Sequence, residues 1–478
     1  MASRLIITKP LKVKAMRRKS KAIFSLLLLL SSLANAQTKT LSWEEFKRAI
    51  SQYHPLAQKA ALLPKYAQTE LGMARAAFDP LLEASQSEKS LQSVNYYASQ
   101  NIALKLPTWY GMDLNVGADN MIGQRLNPSD TKGQLYYLGA NVSLLRNVIT
   151  DKRRTALRQA YLAKEMSQLE KQVLLNDLLM EAAQVYWEWT KAYANRQIIN
   201  EGVANLQQRV EFIHQNILHG ERAVIDSIEL DATLQSFLTR KNQVELEWLN
   251  ARLQVSSFLW QKDGLAYELP ADVNPTFDLT KLSLNEVLAF QQQNTNMDPQ
   301  QHPSIFWYDK KIGQIQLEQK LKRQELLPKL DMKYNYWLKP GYSTQANLNY
   351  TLGFQFQMPL TLAYSRNQFK ASKLKLQEAE WMRNDKQRQI NVKFKMYLNE
   401  SQLLTSQIQA QTAALTATRL LLEAERQRFT EGESSVFMIN QREQKYLETL
   451  EKLIELKAKA LKNNQAIQWS LGKLASDF

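Results

Sequence analysis

The residues that could carry catalytic or metal chemistry are few in this chain. It has no cysteine and only four histidines, His54, His214, His219 and His302. Five residues separate His214 from His219, which is about 140° around a helix, so the two do not form a ligand pair. The phosphate-binding pattern G-x-x-x-x-G-K-[ST] is also absent. We therefore predict no enzyme activity, no cofactor and no metal site, and we expect the histidines near helix ends.

The second half of the chain repeats landmarks of the first in the same order. Each half has a Ser-x-x-Glu capping box, a His-Pro pair, a further proline, a glycine in an alternating stretch and a lone glycine in a helical one. These are Ser42, Glu45, His54, Pro55, Pro80, Gly139 and Gly220, then Ser283, Glu286, His302, Pro303, Pro328, Gly353 and Gly432. The ordered set indicates a tandem duplication. We predict a first structural repeat at 37–262, a linker at 263–281 and a second repeat at 282–478.

Residues 1–36 have the composition of a secretory signal peptide. Basic residues precede an apolar run from Ala22 to Leu33, and Ala34-Asn35-Ala36 supplies the small residues of a cleavage site. This segment holds eight basic residues and no acidic one, so its removal lowers the formal charge from +15 to +7. We expect an exported protein that binds no nucleic acid. No apolar run of about 18 residues follows, so we expect no transmembrane helix.

Residues 150–262 and 364–474 each predict an antiparallel hairpin of long helices. Both stretches lack proline and have few glycines, and the first helix of each, at about 150–218 and 364–429, would be about 100 Å long at 1.5 Å per residue. The turns fall near Gly220 and Gly432, since glycine suits the left-handed conformation at a helix end. The returning helices carry apolar residues at steps of three and four, as in a coiled-coil seam, and Lys457 interrupts the second seam. We interpret both seams as packing surfaces.

Strands with alternating polarity precede each hairpin. Residues 346–358 alternate without error, and 329–336 do the same upstream of a turn signal at Pro340-Gly341. The first half has the strand 136–144, the interrupted alternation 102–116 and the weaker 81–90, so an extra hairpin in the first half stays open. A transmembrane strand needs about 9–11 residues, so these suit a membrane barrel, with a soluble sheet as the alternative. Four or so strands cannot close a barrel, because the smallest have eight, so several chains must share one.

Short segments mark the entry to the strands, the exit into the long helices and the hairpin tips. They are Phe78-Asp79-Pro80, Leu326-Leu327-Pro328-Lys329-Leu330, Val142-Ser143-Leu144-Leu145-Arg146, Phe356-Gln357-Met358-Pro359-Leu360, His219-Gly220-Glu221-Arg222-Ala223-Val224-Ile225-Asp226 and Phe429-Thr430-Glu431-Gly432-Glu433-Ser434-Ser435-Val436. The ordered set resembles the TolC-like outer-membrane efflux protein family, the outer membrane factors, over nearly the whole chain after residue 36.

The resemblance implies the fold class of a mixed α/β membrane protein. In it, tandem helical coiled-coil hairpins form a periplasmic tunnel, and strands contribute to a shared, twelve-stranded transmembrane β-barrel in a homotrimer. It also implies an outer-membrane location with a periplasmic extension. The implied partners are outer-membrane lipid, a periplasmic adaptor (membrane fusion) protein and an inner-membrane transporter. The tip residues predicted to dock the adaptor are Gly220, Arg222, Ala223, Gly432, Ser434 and Ser435.

The closed end of the duct departs from the family pattern. Members of the family often carry acidic residues six and nine positions after the second tip glycine, where this chain has Met438 and Gln441. The first repeat has Asp226 and Glu229 at the matching offsets. We therefore take Asp226, Met438 and Gln441 as the candidate periplasmic constriction and expect it to be neutral. The alternative for Asp226 is a place on the outer wall, where it stabilises a helix N-terminus.

The predicted function is a passive export duct, the outer-membrane channel of a tripartite efflux or type I secretion system. The sequence does not separate these two kinds of cargo. A rival of another class is a periplasmic coiled-coil adaptor or scaffold without a pore. That rival predicts a protein that is soluble without detergent, whereas the strands predict extraction from membranes. Since the chain has no cysteine for a lipid anchor, we expect the barrel alone to hold it.

Overall fold

The structure, a computed structural model, describes residues 39–126, 132–220, 222–283, 285–286, 298–338 and 349–476. The helices are α1 (Trp43–Tyr53), α2 (Pro55–Ala76), α3 (Lys152–Leu218), α4 (Val224–Ser256), α5 (Pro303–Gln324), α6 (Ala363–Thr430) and α7 (Val436–Ser470). The strands are β1 (Thr40–Leu41), β2 (Leu81–Leu91), β3 (Val94–Pro107), β4 (Met112–Ile122), β5 (Gly133–Ser143), β6 (Asn274–Pro275), β7 (Lys329–Leu338) and β8 (Tyr350–Gln357). The signal peptide, the loop at 127–131, the Pro340-Gly341 turn and residues 346–348 lie outside the described residues.

Both predicted capping boxes are present. The Ser42 hydroxyl accepts a bond from the Glu45 amide at 3.2 Å, and the Glu45 carboxylate accepts one from the Ser42 amide at 2.9 Å. The same reciprocal pair joins Ser283 and Glu286, at 3.3 and 2.7 Å. Local chemistry therefore fixes the start of both halves in the same way.

The histidines lie near helix ends, as predicted. His54 and His302 are the N-caps of α2 and α5, each a 22-residue helix with proline at its first position. Their Nδ1 atoms accept bonds from the amides two residues on, at 3.2 and 3.1 Å. His219 caps the C-terminus of α3, and His214 lies four residues before the end of that helix. Within the described ranges, no group of three His, Asp or Glu side chains is placed to hold a metal ion.

Two long helical hairpins form the body of the fold. Helices α3 and α6 have 67 and 68 residues, about 100 Å each, and α4 and α7 return along them over 33 and 35 residues. The predicted starts and ends of α3 and α6 are correct to within two residues. Gly220 and Gly432 form the turns with φ of +77° and +79°, which confirms their predicted role. None of the described helices has an apolar stretch long enough to cross a membrane.

One apolar core runs through the helices. The predicted seam of α4 is buried at Leu230, Phe237 and Val255, among others. Lys457, which breaks the seam of α7, is also buried, and its Nζ donates to the Leu279 carbonyl at 3.0 Å. Burial lowers the pKa of this amine below its ordinary value. The lysine that breaks the apolar pattern therefore hydrogen-bonds α7 to the segment that links the two halves.

The main sheet has six antiparallel strands in the order β2-β3-β4-β5-β7-β8, and β1 pairs with β6 in a separate parallel pair. The sequence prediction of about four strands is too low, and the extra first-half hairpin that the alternation left open is present. Pro107 and Gly111 do not interrupt one strand but flank the turn between β3 and β4. Strand β2 is hard to recognise because polar residues occur on both of its faces, although it pairs with β3 along its length. The first half thus supplies four strands and the second half two.

Candidate membrane-facing sheet and hairpin tips

The six-stranded sheet has one apolar face that runs across every strand. Its register places Leu82, Leu104, Val116, Leu138, Tyr336 and Tyr350 in a single row, one residue from each strand. Paired residues share a face, and every second residue along a strand returns to it. We call the face of these even-numbered residues the outer face and the face of the odd-numbered residues the inner face. Between the bulge after Lys89 and the helix-side ends of the strands, even-numbered residues pair with even-numbered residues in all six strands.

The outer face is apolar and exposed from the row of Ala84 to the helix-side ends of the strands, and the next row away from the helices is polar, with Gln86, Gln100, Asn120 and Gln134. The inner face is polar and partly buried. The sheet is curled, and Asn115 and Asn335 on its inner face are 3% and 5% exposed. On the outer face Phe354 is 62% exposed. A soluble sheet has the opposite arrangement, with its apolar side against a core. The exposed outer-face residues are Leu82, Ile102, Leu104, Leu114, Val116, Tyr136, Leu138, Tyr334, Leu338, Tyr350, Leu352, Phe354 and Phe356.

An apolar surface of this extent is unfavourable in water. Soluble monomers expose contiguous apolar patches of a few hundred Å² at most, and transfer of such surface out of water gains about 25 cal/mol per Å². Here the patch covers six neighbouring strands. Aromatic residues belong to it in the second half, where Tyr334 stacks on Tyr350 with ring centroids 5.8 Å apart. The arrangement is that of a membrane β-wall, whose lipid side is apolar and whose lumen side is polar.

Two ion pairs lie on the inner face. Lys105 pairs with Glu83 at 2.5 Å, and Lys329 pairs with Asp331 at 2.9 Å. The Ser143 hydroxyl also donates to Asp331, at 2.8 Å. The side-chain oxygens of Asn115, Asn141 and Asn335 are enclosed and accept no bond from the described residues. Unpaired buried amides of this kind need water, so the inner face suits a wet lumen.

Charged residues also fix the junction between strands and long helices. A cleft of about 570 Å³ lies there. Arg153 of α3 reaches Asp113 of β4 at 2.6 Å, and Asp151 caps α3 by accepting a bond from the Arg154 amide at 2.8 Å. The Arg154 guanidinium returns to the Asp151 carboxylate at 2.9 Å. These contacts couple the direction of the sheet to the axis of the helices.

The two hairpin tips are in direct contact through Arg222. Its guanidinium lies 4.6 Å from the ring centroid of Phe429 and donates to the carbonyls of Phe429 and Ser434, at 3.3 and 3.5 Å. The Ser434 hydroxyl donates in turn to the buried Glu425 carboxylate at 2.6 Å. Among the predicted docking residues, the structure therefore brings Arg222 and Ser434 together as a bridge between the tips.

The remaining predicted tip residues face solvent. A side chain at Gly220 or Gly432 would meet nothing within 4 Å. Ala223 is the exposed N-cap of α4 and contributes no side-chain bond, whereas Ser435 caps α7 by accepting a bond from the Met438 amide at 3.3 Å. The surface available to a partner is thus the two glycine turns and the exposed helix starts beside them.

The three candidate constriction residues lie in the first two turns after the tips. Asp226 is in the first turn of α4, which is also where its alternative role as a helix-stabilising charge would place it. Met438 is half-buried near the start of α7 and Gln441 is exposed. Within residues 222–283 and 349–476, no hydrogen bond or ion pair joins Asp226 to either of the other two. Their shared role as a constriction stays a prediction.

A set of ion pairs above the tips was not predicted from the sequence. Glu443 lies in an apolar stripe of α7 and is nearly buried, and it pairs with Arg209 of α3 at 2.7 Å and Arg426 of α6 at 3.2 Å. Arg240 of α4 pairs with Glu451 of α7 in the same way, and burial raises the pKa of this carboxyl although Arg240 opposes the shift. The sequence signal for these ion pairs was a glutamate, Glu443, at an apolar position of the α7 stripe. The pairs of Arg209 and Arg240 join the first hairpin to the second, and the pair of Arg426 lies within the second hairpin.

Solved structures share this architecture. The outer membrane protein VceC from Vibrio cholerae is 15% identical with a TM-score of 0.63, covering 90% of this chain and 96% of its own. The Campylobacter jejuni outer membrane channel CmeC is 14% identical with a TM-score of 0.62, covering 90% and 85%. The open state of the Neisseria gonorrhoeae outer membrane channel MtrE is 13% identical with a TM-score of 0.61, covering 92% and 94%.

No family model and no curated protein matches the chain. The structural similarity nevertheless covers 90–92% of this chain. The chain has the fold of the TolC-family outer-membrane efflux channels, and the resemblance inferred from its short segments is confirmed at the level of the fold.

Proposed function

We propose that the chain is an outer-membrane export channel, a passive duct whose sheet crosses the outer membrane and whose helices extend into the periplasm. The observation that carries the proposal is the exposed apolar outer face, which is continuous across six strands and backed by a polar inner face. A periplasmic scaffold or adaptor would have no use for such a face. The fold shared with outer-membrane channels supports the same conclusion.

The duct requires several copies of the chain. Six strands are fewer than the eight of the smallest closed membrane barrels, so one chain cannot form a wall. The resemblance implies three copies, and we adopt a homotrimer. In that assembly the hairpins of three chains line one tunnel and six hairpin tips meet at its periplasmic end.

The exposed tips are the proposed docking surface for a periplasmic adaptor, which links the duct to an inner-membrane transporter. Gly220, Ala223, Gly432 and Ser435 supply this surface, and Arg222 holds the two tips in register. The transporter supplies the energy, and the chain itself catalyses nothing. Efflux of small molecules and secretion of proteins fit this arrangement equally.

The proposed constriction is neutral and is formed by Met438 and Gln441. A ring of carboxylates attracts multivalent cations, whereas methionine and glutamine offer them no charge. In planar bilayers, the wild-type protein should conduct and should be only weakly blocked by multivalent cations on the periplasmic side. Met438→Asp should create strong block.

Two results would count against these assignments. Strong block of the wild type that disappears in Asp226→Asn would show that the first hairpin supplies the constriction. Assembled protein that inserts into bilayers and never conducts would contradict the channel itself.

A further inference from the structure

The six-stranded sheet ends in two open edges. Strand β2 bonds only β3 and strand β8 bonds only β7 within the described part of the chain. Each edge therefore presents backbone N–H and C=O groups without partners. An open edge does not occur in the hydrocarbon layer, because every unsatisfied backbone group there costs several kcal/mol. The wall is incomplete until a further copy of the chain pairs with each edge.

We propose that β2 of one copy pairs with β8 of the next, and that three copies close a barrel of eighteen strands rather than the twelve that the resemblance implies. This inference rests on the proposed function for the outer-membrane location and the trimer. It adds the surface that joins the copies and the size of the wall.

The strand directions allow only this seam. Strand β2 runs away from the helices, since it follows α2, and β8 runs back toward them, since it precedes α6. With the helices of both copies on one side of the membrane, β2 and β8 meet antiparallel. A β2–β2 or β8–β8 seam would be parallel and would not match the sheet, which is antiparallel throughout. A head-to-tail contact of this kind closes into a ring when it is repeated.

The stagger of the sheet matches that of a closed barrel. The row that joins Leu82 to Tyr350 serves as the reference line across the sheet. The helix-side end of β2 is Leu81, one residue from this row, and the helix-side end of β8 is Gln357, seven residues from it. The strand bases thus shift by six residues over five strand-to-strand steps. At about 3.4 Å per residue and about 4.8 Å between strands, the tilt is about 40°. Strands of closed barrels tilt by about 35–45°.

The register of the seam follows from matching the faces while the helix-side ends of β8 and β2 lie level, which leaves a shift of six residues over six steps and a tilt of about 35°. Gln357 then lies beside Leu81 of the next copy, so that inner-face residues meet inner-face residues. Phe356 comes opposite Leu82, and Phe354 comes opposite Ala84, with all four on the outer face. The apolar lipid side continues across the seam at these rows.

The additional strands come from the first half of the chain. Strands β2 to β5 precede α3, whereas only β7 and β8 precede α6. Barrel diameter grows roughly linearly with strand number, so eighteen strands enclose a lumen about 1.5 times as wide as twelve. The helices below the barrel are unchanged in number. The barrel is therefore the wide part of the duct, and selection of cargo falls to the periplasmic end.

Cysteine cross-linking in the full-length protein tests the seam, because the chain has no cysteine of its own. Leu82→Cys is combined with Phe356→Cys and, in a second variant, with Phe354→Cys. The matched control is Met112→Cys with Phe356→Cys, which would meet at a seam only if β2 and β3 stayed outside the wall. Leu330→Cys with Phe356→Cys, a pair within one chain, shows that the oxidant reaches this depth.

We expect a Leu82→Cys variant to give a covalent ladder that ends at three chains, with the Met112→Cys control remaining at one chain. Cross-linking of the control alone would establish twelve strands and overturn the proposal. A ladder that ends at two chains would do the same, because two copies would then close the wall. An uncross-linked trimer in the outer membrane would also overturn this seam while leaving the proposed function intact. Protein that fractionates as soluble and monomeric would overturn both.

Discussion

His302 is held in its neutral form by the fold. Loss of hydration, and secondarily the positive charge of Lys386, lower its pKa from 6.5 to about 4. The unfolded chain binds the proton first as the pH falls, so folding stability is present above pH 6.5 and is lost between pH 6.5 and about 4. The full shift corresponds to about 3 kcal/mol per chain at most.

We predict that His302→Asn flattens this pH dependence. Asparagine keeps the N-cap of α5, because its side-chain oxygen accepts the same amide bond. The midpoint of thermal unfolding of the assembled protein should fall less between pH 6.5 and pH 4 in the variant than in the wild type. His54→Asn is the matched control, since His54 caps α2 in the same way but is less buried. Equal pH profiles for the wild type and His302→Asn would contradict the buried, neutral histidine.

Residue types alone predicted where the histidines lie but not what surrounds them. A histidine before a proline indicates a helix start, and both such residues are N-caps. The burial of His302 depends on α6 and α7, which lie far along the chain. For the same reason the sequence showed that Lys457 breaks a seam but not that its amine reaches Leu279, 178 residues away. Partners that are distant in sequence leave no local signal.

At the scale of elements, the hairpin turns can be tested apart from the rest of the fold. A side chain at Gly432 meets nothing within 4 Å, so its cost is the positive φ alone, about 1 kcal/mol or more. We predict that Gly432→Trp assembles normally but loses export and cross-linking to the adaptor. Gly264→Trp is the control, because Gly264 has a φ of +81° and equally open surroundings but lies away from the tips. Loss of the trimer in Gly432→Trp would make the glycine structural and would remove the docking argument.

The register of β8 predicts different tolerance on its two faces. Leu352 belongs to the outer face and Gln355 to the inner face. An arginine at the middle of the lipid-facing side costs about 2–4 kcal/mol, and one in a wet lumen costs far less. Leu352→Arg should therefore reduce the yield of assembled trimer in the outer-membrane fraction much more than Gln355→Arg. Similar yields for the two variants would show that the faces are wrongly assigned.

Long, regular elements were predictable and weakly patterned ones were not. The proline-free stretches gave α3 and α6 to within two residues, because nothing in them interrupts a helix. Strict alternation likewise gave β5, β7 and β8. Strand β2 gave little signal, because Gln86 and Glu88 interrupt its outer face and its stability comes from pairing with β3. The underestimate of the strand number followed from this weak strand and from the reading of β3 and β4 as one interrupted strand.

For the whole molecule, the tandem repeat explains most of the architecture. The different numbers of strands in the two halves explain the rest. Each half has a Ser–Glu capping box, a 22-residue helix, strands and a long hairpin. The first half adds a pair of strands, which widens the proposed barrel without adding helices to the proposed tunnel. The ion pairs of Arg209 with Glu443 and Arg240 with Glu451 then join the two halves near the tips.

The central claim is that the outer face contacts lipid while the inner face contacts water. Single cysteines at Ile102 and Leu352, each five residues from the helix-side end of its strand, test the outer face in both halves. Cysteines at Asn101 and Gln355 test the inner face. With a fluorescent label at each site in reconstituted protein, we predict that quenchers on the acyl chains quench the Ile102→Cys and Leu352→Cys labels. Iodide in the water should quench the Asn101→Cys and Gln355→Cys labels. Equal quenching of all four labels by iodide would place the whole sheet in water and contradict the account.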